Sequence, residues 1–254
     1  MPAPTDIDWR RALERFPIAT PGMLATRELQ RRTDTKFVLP CEAALDRLAG
    51  LASNYAVLLA GGQSIASYRT LYFDTPELEL FHAHRCGRRI RHKVRIRHYL
   101  ERAVSTLEVK SRRNERETRK TSLPHCFGSS ELSAGDRQFL AGALAHAEAL
   151  SPQVWTNFRR ITLLGLHACE RVTIDLDLEF VGSAGRVAFA ECAVVEVKQW
   201  PSDRGTPVMA ALRAGGHRPA SLSKYCAAIS ASHDVARRSG SQPRFPLQAR
   251  SLSA

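Results

Sequence analysis

The chain has 254 residues, 44% of them hydrophobic, and its 37 Lys and Arg against 25 Asp and Glu leave a net charge of +12. That length supports a sizeable core, and that charge favours polyanionic partners: nucleic acid, anionic lipid, nucleotides or inorganic phosphate chains. No apolar run approaches the roughly 18 residues of a bilayer-spanning helix, which excludes an α-helical membrane span. Residues 1–25 read as a lead-in with one short helix near Trp9–Phe16. From Arg27 the pattern turns strand-like and closes on Pro40; CEAALDRLAGLAS then places Ala44, Leu45, Leu48 and Leu51 at helical spacing. YAVLLA and SYRTLYFD read as strands, the second with Tyr68, Thr70, Tyr72 and Asp74 on one face, and Thr75-Pro76 opens a turn or short helix through Leu80. IRHKVRIRHYL and STLEVKSRR form a hairpin, ETRKTSL adds a third strand, and Leu132–Leu150 reads as a helix. PQVWTNFRRITLLG, ERVTIDLDLEFVG and FAECAVVEVKQW are further strands. TPVMAALRAGG and SLSKYCAAISAS close the ordered part as helices, the second capped by Ser221 or Ser223, and residues 232–254 read as a disordered tail.

Helices inserted among strands, without strict alternation, point to an α+β fold with a large antiparallel sheet or barrel. No glycine-rich phosphate loop is present, so any phosphate must be gripped by side chains. The strand faces say which ones. Arg91, Lys93, Arg95 and Arg97 occupy alternate positions of one strand and therefore share a face. Thr106, Glu108, Lys110 and Arg112 do the same, as do Arg171, Thr173, Asp175 and Asp177, and Glu196 with Lys198. Cations this close repel unless something anionic sits among them. Two arrangements satisfy the pattern: a half-buried sheet with its polar face in water, or a closed barrel with a charged lumen and its apolar exterior under helices. His92 and His98 fall on the apolar side and read as packing residues.

Eight short motifs then occur in order: RTDTKF (Arg32–Phe37), YFDTPEL (Tyr72–Leu78), KVRIRHY (Lys93–Tyr99), LEVK (Leu107–Lys110), FRR (Phe158–Arg160), ERVTID (Glu170–Asp175), VVEVK (Val194–Lys198) and SLSKYC (Ser221–Cys226). Together they resemble the VTC domain, the polyphosphate polymerase domain of the vacuolar transporter chaperone complex, one of the triphosphate tunnel metalloenzymes related to the CYTH phosphatases. The resemblance covers residues 26–231 and implies an antiparallel β-barrel tunnel with a charged lumen, flanked by α-helices. It implies that Lys36, Arg95, Arg97, Lys110, Arg160 and Arg171 act as catalytic tunnel cations and that Lys120, Ser223, Lys224 and Phe158 contact the substrate. Phe158 stands where the family often has Tyr, one hydroxyl fewer, and Asp34 stands where the family commonly has Glu. Glu196 resembles the family's metal ligand, for Mn²⁺ or Mg²⁺, with Glu108 and Asp175 as further carboxylates near the metal and Lys198 as a structural partner of Glu196. Arg112, Arg113 and Arg116 would line a tunnel mouth or a solvated hairpin end.

The implied activity is ATP-dependent synthesis of inorganic polyphosphate with release of ADP. Phosphoryl transfer asks a protein mainly to position groups and neutralise charge, which suits a cation-lined tunnel. The same tunnel with water as acceptor would make a triphosphatase or nucleotide phosphohydrolase. A non-catalytic polyanion binder, of polyphosphate or RNA, is the third reading. No specific nucleic-acid partner is expected, since only 7% of residues are aromatic and available to stack on bases. The six cysteines are scattered without metal-ligand spacing, and the first residues lack an uninterrupted apolar signal core, so the expected location is the cytoplasm.

Overall fold

The computed structural model describes residues 4–27, 32–112, 118–232 and 250–252. The helices are α1 (Asp6–Leu13), α2 (Pro21–Thr26), α3 (Cys41–Ala49), α4 (Glu79–Arg85), α5 (Ala134–Ala141), α6 (Pro207–Ala214) and α7 (Lys224–Ser232). The first strands are β1 (Thr33–Pro40), β2 (Tyr55–Val57), β3 (Ile65–Asp74), β4 (Arg91–Tyr99), β5 (Val104–Arg112) and β6 (Thr118–His125). They are followed by β7 (Ser151–Gly165), β8 (Glu170–Gly182), β9 (Gly185–Phe189), β10 (Cys192–Gln199) and β11 (Arg250–Leu252).

All these strands join one antiparallel sheet in the order β1-β10-β8-β7-β3-β4-β5-β6, with β2 beside β7, β9 beside β8 and β11 beside β9. Among the described residues the end strands β1 and β6 do not pair with each other. The sheet nonetheless curls into a tunnel. Lys110 on β5 lies within electrostatic reach of Asp34 and Lys36 on β1 and of Glu196 on β10, at the other end of the strand order. The connection between α6 and α7 runs along β1, where the Ala220 N–H donates to Lys36 O at 2.7 Å.

Strand alternation sorts the side chains into an apolar exterior and a polar lumen. Over one half of the barrel, Phe37 and Leu39 of β1, Ile161 and Leu163 of β7, Val172 and Ile174 of β8, and Val195 and Val197 of β10 pack under α1, α3 and α6. Over the other half, Leu71, Phe73, Val94, Ile96, Leu107 and Val109 pack under α5 and the segment after it. Val94 and Ile96 are fully buried, each side chain contributing about 2 kcal/mol by leaving water. A third cluster joins α4 and α7 to the apolar residues of the lumen-facing register (Tyr72, Val154, Phe158 and Val194), forming a plug at one end of the tunnel.

Several expectations change. The helix expected over Leu132–Leu150 divides into α5 and a 3₁₀ turn at Ala147–Ala149: Ser133 caps the start of α5 with Asp136, and Gly142 stands at its C-cap. Residues 21–26, expected as lead-in, form α2 because Thr20 accepts the Met23 N–H and Pro21 takes the first helical position. Of the turn or short helix expected from Thr75-Pro76 through Leu80, the turn forms at residues 76–77 and α4 begins at Glu79. Asp177 leaves the face of Arg171, Thr173 and Asp175, since a bulge opposite Asn157 and Arg159 accompanies its left-handed φ of 50° and turns it toward Arg159. Of the expected tail, 232–254, Ser232 ends α7 and Arg250–Leu252 forms β11; the remainder lies outside the described residues, as do Arg113 and Arg116.

Candidate active site

Three ion-pair groups and a row of lysines line the lumen, positioned mainly by strand register. Lys36, Glu196 and Thr173 stand directly across β1, β10 and β8. Lys36 Nζ lies 3.1 Å from Glu196 Oε1, and Lys198, two residues along β10, donates to Oε2. Burial alone would raise the Glu196 carboxyl, but the Lys198 and Lys36 ammonium groups more than offset it and hold the group well below the usual carboxylate range. Burial brings Lys198 down to about 8 despite the opposing charge of Glu196. Arg95 faces Glu108 across β4 and β5, with Nη2 2.6 Å from Oε2, and Lys120 of β6 reaches Glu108 Oε1 at 2.6 Å. Glu108 is 2% exposed; burial pushes its carboxyl up and Arg95, Arg97 and Lys120 pull it down further, so it stays ionised. Asp175, 1% exposed, accepts two hydrogen bonds from Arg160, at 2.5 and 2.8 Å, and one from Lys224. Those two cations outweigh its burial and hold it at about 2.

The row of lysines includes one residue, Lys93, that alternation puts on the charged face of its strand but that is not among the expected site residues. Lys93 stands between Arg91 and Arg95 on the lumen face of β4 and donates to Ser223 Oγ at 2.9 Å. Ser223 also caps α7, accepting the Cys226 N–H at 3.2 Å. Lys93, Lys110 and Lys120 are directly cross-strand neighbours, a row of three ammonium groups. Burial lowers Lys93, and burial together with Lys36 and Arg95 lowers Lys110, against the pull of Asp34 and Glu196. Tyr68 and Tyr72, which alternation places on one face of β3, join the same wall: the Tyr72 hydroxyl accepts from Arg95 Nη1 at 3.2 Å, and Tyr68 stacks on Phe158 with ring centroids 5.3 Å apart.

All eleven expected site residues thus meet in or at the rim of one tunnel. Lys36, Arg95, Lys110, Arg160, Arg171 and Glu196 are linked by their mutual charge interactions. Arg97 shares the Tyr68 and Phe158 rings with Arg160, Lys224 reaches Asp175 and Phe158, Ser223 meets Lys93, and Lys120 sits at the rim with half its side chain exposed. His98 is buried on the outer face, its Nδ1 2.6 Å from Ser105 Oγ, and His92 contacts Ser111 Oγ. At the Arg91 end a cavity of about 390 Å³ is lined by Arg85, Arg91, Lys93, Lys110, Arg112 and Ser223 among others.

The lumen leaves polar atoms unmatched. Among the described residues, Arg171 Nε, Thr173 Oγ1 and Thr156 Oγ1 are buried without a hydrogen-bond partner, a costly state for a polar atom unless a ligand relieves it. Among the same residues no group of three His, Cys, Asp or Glu could hold a metal ion by itself. Glu108, Asp175 and Glu196 are each engaged by two cations, and Glu196 differs in being more open to the lumen, its side chain 16% exposed against 2% and 1%. One ionised carboxylate, Glu196, fits the manner in which Mg²⁺ is held by one or two carboxylates together with substrate phosphates.

The model of the VTC domain family matches residues 31–233. No curated protein matches the chain. Among solved structures, the Hippeastrum protein HpAC1, described as an adenylyl cyclase candidate with a dominant triphosphatase activity, is similar. It is 16% identical, with 80% of this chain and 97% of that one covered and a TM-score of 0.51. An adenylate cyclase candidate from Bacillus halodurans is 12% identical, with 76% and 93% covered and a TM-score of 0.49. The first likeness identifies the fold as the antiparallel tunnel with flanking helices. The family match runs from before β1 to past the end of α7 and so takes in every strand and helix that lines the lumen: the chain belongs to the VTC domain family.

Proposed function

We propose that the chain is a metal-dependent phosphoryl-transfer enzyme that binds triphosphates in its tunnel, and that its reaction is synthesis of inorganic polyphosphate from ATP with release of ADP. The observation that carries this reading is the convergence of cations from β1, β4, β5, β7 and β8 on one lumen around ionised carboxylates, with buried polar atoms left unmatched. Arg97, Arg160 and Arg171 hold phosphate oxygens, the guanidinium fork being suited to two oxygens at once. Lys36, Lys110, Lys120 and Lys224 act as point charges along the chain, and the Ser223 hydroxyl adds a hydrogen bond at the start of α7. Arg95, clamped between Glu108 and Tyr72, fixes the wall against which the transferring phosphoryl group lies. Glu196 would hold the Mn²⁺ or Mg²⁺ ion, which when bound neutralises charge on the phosphate oxygens.

The terminal phosphate oxygen of a primer or growing chain attacks the γ-phosphorus. The bond from that phosphorus to the β,γ-bridging oxygen breaks, and its electrons leave with ADP. No side-chain nucleophile is required because the acceptor is itself an anion, so the cationic wall supplies positioning and charge neutralisation. The six free thiols agree with action in the reducing cytoplasm.

Hydrolysis is the second reading, favoured by the triphosphatase activity described for HpAC1. The deciding experiment is incubation of the purified protein with ATP, with and without Mn²⁺. Long phosphate polymer and ADP support the polymerase; orthophosphate without polymer supports the hydrolase; neither product overturns both and leaves a polyanion-binding protein.

A further inference from the structure

We propose that Tyr68 and Phe158 form an aromatic platform inside the tunnel that positions Arg97, Arg160 and Lys224 for phosphate, making Tyr68 a positioning residue of the site. The inference rests on the triphosphate-binding reading above. Tyr68 of β3 and Phe158 of β7 are directly cross-strand, and their rings stack nearly parallel, 3° apart with centroids at 5.3 Å. Tyr99, the neighbour of Tyr68 on β4, meets it edge-on at 5.3 Å, so the pair cannot slide along the wall.

Three cations rest against these rings. The Arg160 guanidinium carbon lies 5.2 Å from the Tyr68 centroid and 5.1 Å from that of Phe158. The Arg97 carbon lies at 5.7 and 5.9 Å from the same two rings, and Lys224 Nζ lies 5.0 Å from Phe158. These distances are within the range at which a ring face attracts a cation.

A carboxylate partner holds a cation but cancels its charge toward a ligand. A ring face holds it through its quadrupole and leaves the charge intact. Arg97 shows the difference. Among the described residues it bridges no carboxylate; its polar contact is Thr70 Oγ1 at 3.2 Å, and the two rings fix the rest of the group. Arg160 and Lys224 share a single carboxylate, Asp175, so two positive charges stand against one negative, and Phe158 lies under both. The platform therefore keeps a surplus of fixed positive charge in the middle of the tunnel. The same stack accounts for a phenyl ring serving at position 158: the face is used, and a hydroxyl is not required there.

The test is tripolyphosphate binding by calorimetry to wild type, Tyr68→Leu, Tyr68→Phe, Arg160→Gln and the double variant Tyr68→Leu/Arg160→Gln, with folding checked by circular dichroism. Tyr68→Leu is expected to weaken binding by about tenfold, and Tyr68→Phe, which keeps the ring, by less than about twofold. The double variant should lose less than the product of the two single losses, because the ring acts through the guanidinium. Equal losses in the Leu and Phe variants, or losses that simply multiply, would overturn the platform. Nuclear magnetic resonance of the unaltered protein gives an answer independent of any variant's folding. Ring-current upfield shifts of the Arg97 and Arg160 side-chain protons support the platform, and ordinary shifts reject it. A wild type that binds no tripolyphosphate but shows those shifts would reject the tunnel's proposed ligand while leaving the platform standing.

Discussion

Lys36 and Lys198 share one carboxylate: Lys36 Nζ is 3.1 Å from Glu196 Oε1 across the β1–β10 pair, and Lys198 holds Oε2 from the same strand. A divalent ion entering with a triphosphate would take over the role these two ammonium groups play, and the phosphates would receive the displaced lysines. Glu196→Gln should therefore separate two functions. Metal-dependent turnover of ATP is expected to fall by about 100-fold or more, as for loss of one charge-stabilising group. Tripolyphosphate binding in the presence of a chelator should be retained or strengthened, because a negative charge has left the lumen. Turnover assays paired with calorimetry check this; full turnover in the variant would remove Glu196 from the site.

Asp175 is the sole carboxylate bridging Arg160 and Lys224 among the described residues, and it is 1% exposed. Asp175→Asn leaves two half-buried cations without their buried counter-charge, a change that costs about 3 kcal/mol. The urea midpoint should drop accordingly. Saturating tripolyphosphate should restore more stability to the variant than to wild type, since the ligand supplies the missing negative charge. Equal ligand stabilisation of both proteins would show that Asp175 and phosphate do not address the same cations.

Much of this arrangement was legible in the sequence because strand alternation has a period of two. Arg95, Lys110 and Glu196 could be assigned to faces without knowing where the strands lay, and the ordered motifs indicated that the faces turn inward. Registration between strands was not legible. That Arg95 meets Glu108, or that Lys93, Lys110 and Lys120 form a row, depends on the lengths of the β4–β5 and β5–β6 connections, and the bulge between β7 and β8 is equally unmarked by any residue pattern. Asp177 shows the consequence: one bulge moves it from the expected lumen face to the exterior, beside Arg159. The plug of α4 and α7 was equally hidden, because Tyr72, Phe158 and Val194 sit on alternating positions otherwise occupied by charge, and their burial follows from helices distant in sequence.

His84 lines the cavity at the Arg91 end, with Nε2 3.2 Å from His92 O. Burial first, and then Lys93 and Arg91, bring its imidazole down to about 3 from an ordinary 6.5. Across that interval the unfolded chain binds a proton that the folded one refuses, so stability rises with pH and the contribution is complete above 6.5. The Asp175 contribution works in a lower window: it is present above 3.8 and lost as pH falls toward about 2. Urea titrations at about pH 4.5 and pH 7 therefore leave out Asp175 and read the histidines, of which His98 and His217 are also lowered by burial. His84→Gln should reduce the stability difference between the two, and an unchanged difference would assign the dependence elsewhere.

Tyr225 joins the plug to the tunnel. Its hydroxyl donates to Asp74 Oδ2, and the Asp74 carboxylate also accepts the N–H groups of Thr75, Leu80 and Phe81 at 2.8, 2.9 and 2.9 Å. One buried carboxylate at the end of β3 thus ties the start of α4 to the first turn of α7, immediately beside Ser223 and Lys224. Burial, reinforced by Asp74, pushes the Tyr225 phenol up, so it remains a neutral donor. Tyr225→Phe keeps the ring that lies 5.1 Å from Tyr72 and removes only the donor. The expected loss is about 1–3 kcal/mol, the cost of leaving a buried acceptor short of a partner. Hydrogen exchange should locate it. Amides of α4 and α7 should exchange faster while those of β4 and β5 keep their protection, because the pin is local and the hairpin's core lies under α5. Tripolyphosphate binding should weaken along with the α7 amides, since Ser223 and Lys224 depend on the same turn. Acceleration spread evenly over the sheet would instead make Tyr225 an ordinary core residue with no special part in holding α7 at the lumen.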